Sequence, residues 1–275
     1  MEKVESNVKF KGGYEMLYTL DKKDGGRLIP LFEKMHDTMI WSYLGGHMGS
    51  AIVDDLEQPK MGQIVLGDFV FLAGDVTNEA AIELLENLPL EKFIITENRA
   101  WKDQIEKIYK EDVIKIVRYA FKKDLRFLRC NHLRNLIQSL SEEYDLKRME
   151  GSLLRNTSLH ELSKDFTGQF ESLEDFEKRG RGYCILHKGK VVCGASSYSI
   201  YSGGLEIEVD THPNYMRRGL ATVATAALML ECLEEGLYPN YDAAHLASVG
   251  VAQKLGYQLE RAYDTYMIRK GVLND

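Results

Sequence analysis

The segment Val209-Asp-Thr-His-Pro-Asn-Tyr-Met-Arg-Arg-Gly-Leu-Ala-Thr222 combines residue types that suit one task, the holding of a phosphate group. Its apolar start reads as a strand, Arg217 and Arg218 follow in a tight turn, and no charged residue then occurs before Glu231, which reads as a buried helix opening at the turn. The first N–H groups of a helix lack partners and carry the positive end of its dipole, so an anion is stabilised there. Gly219 and Ala221 keep the backbone approachable, Leu220 and Thr222 complete the first helical turn, and the two arginines add charge at the rim. A pyrophosphate fits this arrangement without a metal, which implies a nucleotide-type cofactor. Just upstream, Leu205-Glu-Ile-Glu-Val-Asp210 alternates strictly: Leu205, Ile207 and Val209 cover one face of a strand and Glu206, Glu208 and Asp210 the other. That polar face is either a solvated surface or a row of carboxylates able to act as a general base.

Downstream, Lys254-Leu-Gly-Tyr257 closes a second helix, and the cradle and this tetrapeptide together resemble the GNAT acetyltransferases. In that superfamily the cradle reads Gln/Arg-x-x-Gly-x-Gly/Ala and a later helix ends in Lys-Leu-Gly-Tyr/Phe; the matching positions here are Met216 through Ala221 and Lys254 through Tyr257. The resemblance implies acetyl-coenzyme A as cosubstrate, with its pyrophosphate on Arg217, Arg218, Gly219, Leu220, Ala221 and Thr222. It also implies backbone amides near Val209 polarising the thioester carbonyl, and His245 and Ser248 lining the coenzyme and acceptor channel. The reaction it implies is direct attack by a primary amine of a small molecule in a ternary complex. An alkyl ammonium has a pKa of about 10.4, so a base must remove its proton. Glu206 is the first candidate and Glu208 the second, while Asp210 is read as turn chemistry. The chain departs from the family pattern where Met216 stands for Gln or Arg, where His245 stands for Asn, and where Ala252 stands for the Tyr that in many members protonates the leaving thiolate. Water, Tyr241 or Tyr257 then has to supply that proton. These departures keep two other readings open: a non-catalytic acyl-coenzyme A binding or sensing protein, and a protein or peptide N-acetyltransferase.

A chain of 275 residues that is 44% hydrophobic can bury a sizeable core, and its length favours two domains. A net charge of -7 disfavours nucleic acid as a partner, because phosphate neutralisation needs a basic surface. The opening Met1-Glu-Lys-Val-Glu5 has no apolar core of a signal peptide, and no stretch approaches the about 18 apolar residues of a membrane span. The expectation is a cytoplasmic enzyme with no membrane partner. Cys130, Cys184, Cys193 and Cys232 show no Cys-x-x-Cys spacing, so no metal site is expected, and Cys184 and Cys193, on the two arms of a hairpin, are read as reduced thiols. Homodimerisation is allowed by the sequence and not specified by it. The loop Leu44-Gly-Gly-His-Met-Gly-Ser50 lacks the Lys of a P-loop and runs into a strand, so it is read as a structural turn.

The elements that must carry these residues form an α/β (α+β) chain, with a mixed central sheet flanked by helices in each half. In the C-terminal half, residues 141–275, a strand over Asp145–Leu154 precedes a helix opened by a Ser158–Glu161 capping box and a helix capped at Ser172. The hairpin Tyr183–His187 and Lys190–Ile200 turns at Lys188-Gly189, Leu205–Asp210 enters the cradle, and the long helix ends near Gly236. A short strand at Tyr241, a helix over Ala247–Leu255 and strands in Gln258–Arg269 complete the GNAT order. The N-terminal half, residues 1–140, repeats this order in degenerate form. A helix over Leu28–Tyr43, the strands Ala51–Asp55, Gln63–Leu66 and Phe69–Leu72, a helix over Asn78–Leu88, the strand Phe93–Thr96, a helix through Trp101 and Ile105, and the strand Val113–Phe121 lead to a connecting helix over Asp124–Leu140. Asp75 and Glu79 stand where a phosphate would sit, so this half is read as unable to bind the cofactor.

Overall fold

Lys188 and Gly189 both take left-handed backbone, with φ of 50° and 78°, the geometry of a two-residue hairpin turn, and the strands on either side pair as their alternation requires. Glycine ends the last two helices of the C-terminal half in the same way, Gly236 at φ 75° and Gly256 at φ 108°. The computed structural model describes residues 17–269. They form two units: one runs to Val117 and resumes at Asp264, and the other spans Arg118–Tyr263.

In the first unit the strands β1 (Tyr18–Leu20), β2 (Ser50–Val53), β3 (Met61–Leu66), β4 (Phe69–Gly74) and β5 (Phe93–Ile95) lie in sequence order, antiparallel except for the parallel pair β4–β5. Tyr266 of the last described strand, Leu259–Ile268, sits opposite Ile94. The helices are α1 (Ile29–Phe32), α2 (Thr38–Leu44), α3 (Glu79–Glu86) and α4 (Arg99–Tyr109). Ala81 and Leu84 of α3 and Trp101 and Ile105 of α4 bury against Val70, Leu72 and Tyr266. The single helix expected over Leu28–Tyr43 is two, because Asp37 leaves helical geometry and caps α2 through the N–H of Met39.

Strand β6 (Val113–Phe121) leads into the second unit, whose elements are α5 (Cys130–Gln138), β7 (Tyr144–Arg148), α6 (Thr157–Leu162), α7 (Leu173–Arg179), β8 (Gly182–His187), β9 (Lys190–Tyr201), β10 (Gly204–Thr211), α8 (Leu220–Glu234), β11 (Tyr238–Asn240), β12 (Asp242–Ala243), α9 (Leu246–Leu255) and the start of β13 (Leu259–Ile268), which passes back into the first unit at Asp264. The sheet runs β11-β10-β9-β8-β7, with only β10–β11 parallel. Strand β12 pairs with β6 instead. Helix α8 buries Val223, Ala224, Ala226, Ala227, Leu228 and Met229, which encloses it on more than one side, as its uncharged sequence requires.

Three local expectations shift. The strand expected over Asp145–Leu154 ends at Arg148, and the chain turns through Gly151 at φ 55°. Helix α6 is capped by Asn156, not Ser158; the Asn156 side chain takes the Ser158 N–H, and the Ser158 hydroxyl receives the Val191 N–H. The helix expected over Asp124–Leu140 begins only at Cys130. Ser172 caps α7 as its type predicts.

Candidate functional site

Gly219 stands directly before α8 at φ 82°, a conformation that favours glycine, and a β-carbon built on it would meet no atom within 4 Å. No side-chain hydrogen bond caps the helix, so its first N–H groups are left without a capping acceptor. Thr211, Met216, Arg217, Gly219, Ala221 and Thr222 form one wall of a cavity of about 460 Å³, to which Leu220 and Tyr215 also contribute. Arg217 takes part from a left-handed backbone at φ 61°. Arg218 does not line the cavity. Its guanidinium donates to the Tyr144 hydroxyl at 3.1 Å and the Asn214 carbonyl at 3.2 Å, and lies over the Tyr215 ring, 5.1 Å from its centroid. These contacts tie Arg218 to Tyr144 and to the loop, and His212 fixes the same turn by accepting the Asn214 N–H.

The second wall follows from a change of strand partner. Strand β11 covers β10 only from Gly204 to Glu206, ending at Asn240, and two residues later Asp242 lies on β6. Beyond Glu206 that edge of β10 therefore has no strand beside it, and a notch opens between Val209–Thr211 and the segment that begins at Tyr241. Helix α9 completes the enclosure through His245, Ala247, Ser248, Gly250, Val251 and Lys254. His245 is its cap: Nδ1 accepts the Ser248 N–H at 3.1 Å. The Ser248 hydroxyl lies 2.9 Å from that of Tyr241. Burial pushes the Tyr241 phenol up to about 12, with the charges of Glu208 and Asp242 adding to the effect.

The polar face of β10 is present, with Leu205 and Ile207 in the core behind it. Glu206 is buried and accepts the Asn240 side-chain N–H at 2.6 Å, away from the cavity lining. Glu208 is half-buried opposite Ser196. Asp210 lines the cavity, and burial raises its carboxyl above the ordinary range, helped by the charge of Asp165. Its side chain also accepts the Thr211 N–H, within strand β10 and not in a turn as read from the sequence. Of the predicted residues, Val209, Arg217, Gly219, Leu220, Ala221, Thr222, His245 and Ser248 meet in one cavity; Glu206, Glu208 and Arg218 stand outside it. The lining that sequence reasoning missed, Ala247, Gly250, Val251 and Lys254, follows a helical stripe of spacing three and four. Among the described residues no group of three or more His, Cys, Asp and Glu could hold a metal, and no helix is long and apolar enough to cross a membrane. The cysteines are free, with Cys184, Cys193 and Cys232 buried.

A GNAT acetyltransferase family model matches residues 29–266. The chain belongs to that family. A GCN5-related N-acetyltransferase-like protein from Streptococcus suis 89/1591 is similar at 40% identity and a TM-score of 0.82, over 90% of this chain and all of that one. The uncharacterized N-acetyltransferase YdfB of Bacillus subtilis (strain 168) is 24% identical over 91% of this chain and 98% of its own length. A tandem GNAT protein from the clavulanic acid biosynthesis pathway shares the fold at 11% identity and a TM-score of 0.57, over 94% of this chain and all of that one. The chain is accordingly an acyltransferase, and the GNAT resemblance drawn from Met216–Ala221 and Lys254–Tyr257 holds. Of the family's departures, Ala252 is fully buried in α9, and the Tyr257 hydroxyl donates to the Pro239 carbonyl inside the core.

Proposed function

We propose that the protein moves an acetyl group from acetyl-coenzyme A to a primary amine of a small molecule, by direct attack in a ternary complex. The observation that carries this reading is the uncapped start of α8 at left-handed Gly219, opening on a cavity that ends in the notch beside β10. The α8 N–H groups and Arg217 would hold the pyrophosphate, with the helix dipole adding to the attraction. The free edge of β10 near Val209 would offer backbone N–H groups to the thioester carbonyl. Acetyl-coenzyme A supplies the activated acyl group when bound. The amine arrives protonated, and a carboxylate of β10 takes its proton directly or through water: Glu206, fixed by Asn240, is the first candidate and Glu208 the second. Asp210, at the cavity wall with a raised proton affinity, joins them.

The test is release of free coenzyme A in a screen of diamines, polyamines, amino acids, amino sugars and peptides, beside a thermal shift with acetyl-coenzyme A. Gly219→Asn and Gly219→Asp both tolerate the left-handed backbone, yet only the second adds negative charge. We expect Gly219→Asp to lose the shift and turnover, with Gly219→Asn intermediate. In the same assay Glu206→Gln should slow turnover by about 100-fold while leaving coenzyme affinity intact. Binding without turnover on every amine would instead support a sensor.

A further inference from the structure

The leaving sulfur needs a stabilising partner that neither Ala252 nor Tyr257 can supply. We propose that Tyr241, held by Ser248, donates a hydrogen bond to the coenzyme A sulfur as the C–S bond breaks and keeps its own proton throughout. This rests on the acetyl transfer proposed above.

The hydrogen inventory comes first. Tyr241 and Ser248 bring one O–H each, and the 2.9 Å bond between them uses one hydrogen. No other hydrogen bond to either hydroxyl is present among the described residues, so one O–H remains to donate, that of Tyr241 when Ser248 is the donor between them, and both residues line the cavity. Position comes second. Tyr241 lies between Asn240, the last residue paired to β10, and Asp242, the first paired to β6, so it forms the limb of the notch that faces Val209 and Asp210. The Glu208 charge reaches the phenol from β10. Rigidity comes third. The ring is buried, edge-on to Phe121 at 5.9 Å between centroids and tilted against Tyr257 at 5.6 Å. Ser248 sits in the first turn of α9, where the helix dipole favours a developing negative charge.

The electron and proton count closes without further reagents. The ammonium first gives one proton to a β10 carboxylate, which passes it to water; the amine lone pair then forms the C–N bond, the C–S pair stays on sulfur, the second nitrogen proton goes to the same carboxylate, and the departing thiolate takes a proton from water, so that one net proton is released. A thiol ionises near about 8.5, far below a buried phenol, so transfer of the phenolic proton would run uphill and a retained hydrogen bond is the cheaper stabilisation.

The experiment is an ultraviolet titration of the thiol of coenzyme A bound to the full chain, in wild type, Tyr241→Phe and Ser248→Ala, beside calorimetry with acetyl-coenzyme A and steady-state kinetics. We expect the bound thiol of the wild type to be about tenfold more acidic than that of Tyr241→Phe. Tyr241→Phe should lower kcat by about 10- to 100-fold with acetyl-coenzyme A affinity unchanged. Ser248→Ala, which leaves the ring packing untouched, should show the same two effects more weakly and Ser248→Thr should restore them, so the test stands even if Tyr241→Phe does not fold. Equal thiol acidity in wild type and Ser248→Ala, or an unchanged kcat in Tyr241→Phe, overturns the proposal and leaves the acetyltransferase reading in place. Absence of coenzyme A binding to the wild type overturns both.

Discussion

Arg217 occupies a backbone position that a residue with a β-carbon takes at a cost of about 1 kcal/mol relative to glycine. Its neighbour Gly219 avoids that cost, and the contrast points to the side chain as the reason for keeping arginine, since Arg217 lines the cavity while Arg218 is bound up with Tyr144 and Tyr215. Stability and binding should therefore move in opposite directions. We expect Arg217→Gly to unfold with up to about 1 kcal/mol more free energy than Arg217→Ala, while both variants bind acetyl-coenzyme A about tenfold more weakly than wild type. Denaturant unfolding without ligand and calorimetry with it check the two halves. Equal stability of the glycine and alanine variants would show that the left-handed backbone stores no strain. At this scale the sequence was legible, because a glycine opening an uncharged helix is a local rule. What it hid was which of two adjacent arginines faces the cavity, since that depends on aromatic rings contributed from β7 and the turn after β10.

The notch is a property of elements. Alternation from Leu205 to Asp210 is readable residue by residue, whereas the change of partner after Asn240 is not, because strand pairing is decided by distant segments. A register slip between β9 and β10, where Ser199 faces Glu206 and Ser197 faces Ile207, was hidden for the same reason. Strand β12 has only Asp242 and Ala243 paired to β6, so something more must fasten it. Arg118 donates to Asp242 at 2.8 Å with side chains only 8% and 13% exposed, and the Tyr263 hydroxyl reaches the second Asp242 oxygen at 2.9 Å. A lone buried guanidinium is costly, while an apolar pair of similar volume is often neutral. Asp242→Leu should thus lose about 3–5 kcal/mol in urea unfolding, and Arg118→Met with Asp242→Leu should recover most of it. If the double variant is as unstable as the single one, the ion pair is not what secures this limb of the notch.

At the scale of the whole chain, both units repeat the order of three strands, helix, strand, helix, strand, but their loops before the first helix differ in what fills them. A β-carbon on Gly74 would come within 2.2 Å of the Lys60 carbonyl, whereas one on Gly219 meets nothing. In the first unit the Gly74 carbonyl takes the Trp101 indole N–H, Asp75 takes the Thr77 N–H and hydroxyl, and Asn78 caps Ala80. Asp54 accepts the N–H groups of Lys60 and Met61 and the Asn78 amide. The unit's own carboxylates occupy donors of the kind that α8 leaves open, and a second pyrophosphate would meet Asp54 and Asp75 as like charges. The acidic residues after Gly74 were the legible part of this; the closure by Asp54, some twenty residues upstream, is a tertiary arrangement that no local pattern announces. Calorimetric titration of the full chain with acetyl-coenzyme A should accordingly give one equivalent per chain, abolished by Gly219→Asp and unaffected by Asp75→Asn. A second equivalent that survives Gly219→Asp would mean that the first unit binds coenzyme despite its filled loop, and the contrast between Gly74 and Gly219 would lose its functional meaning.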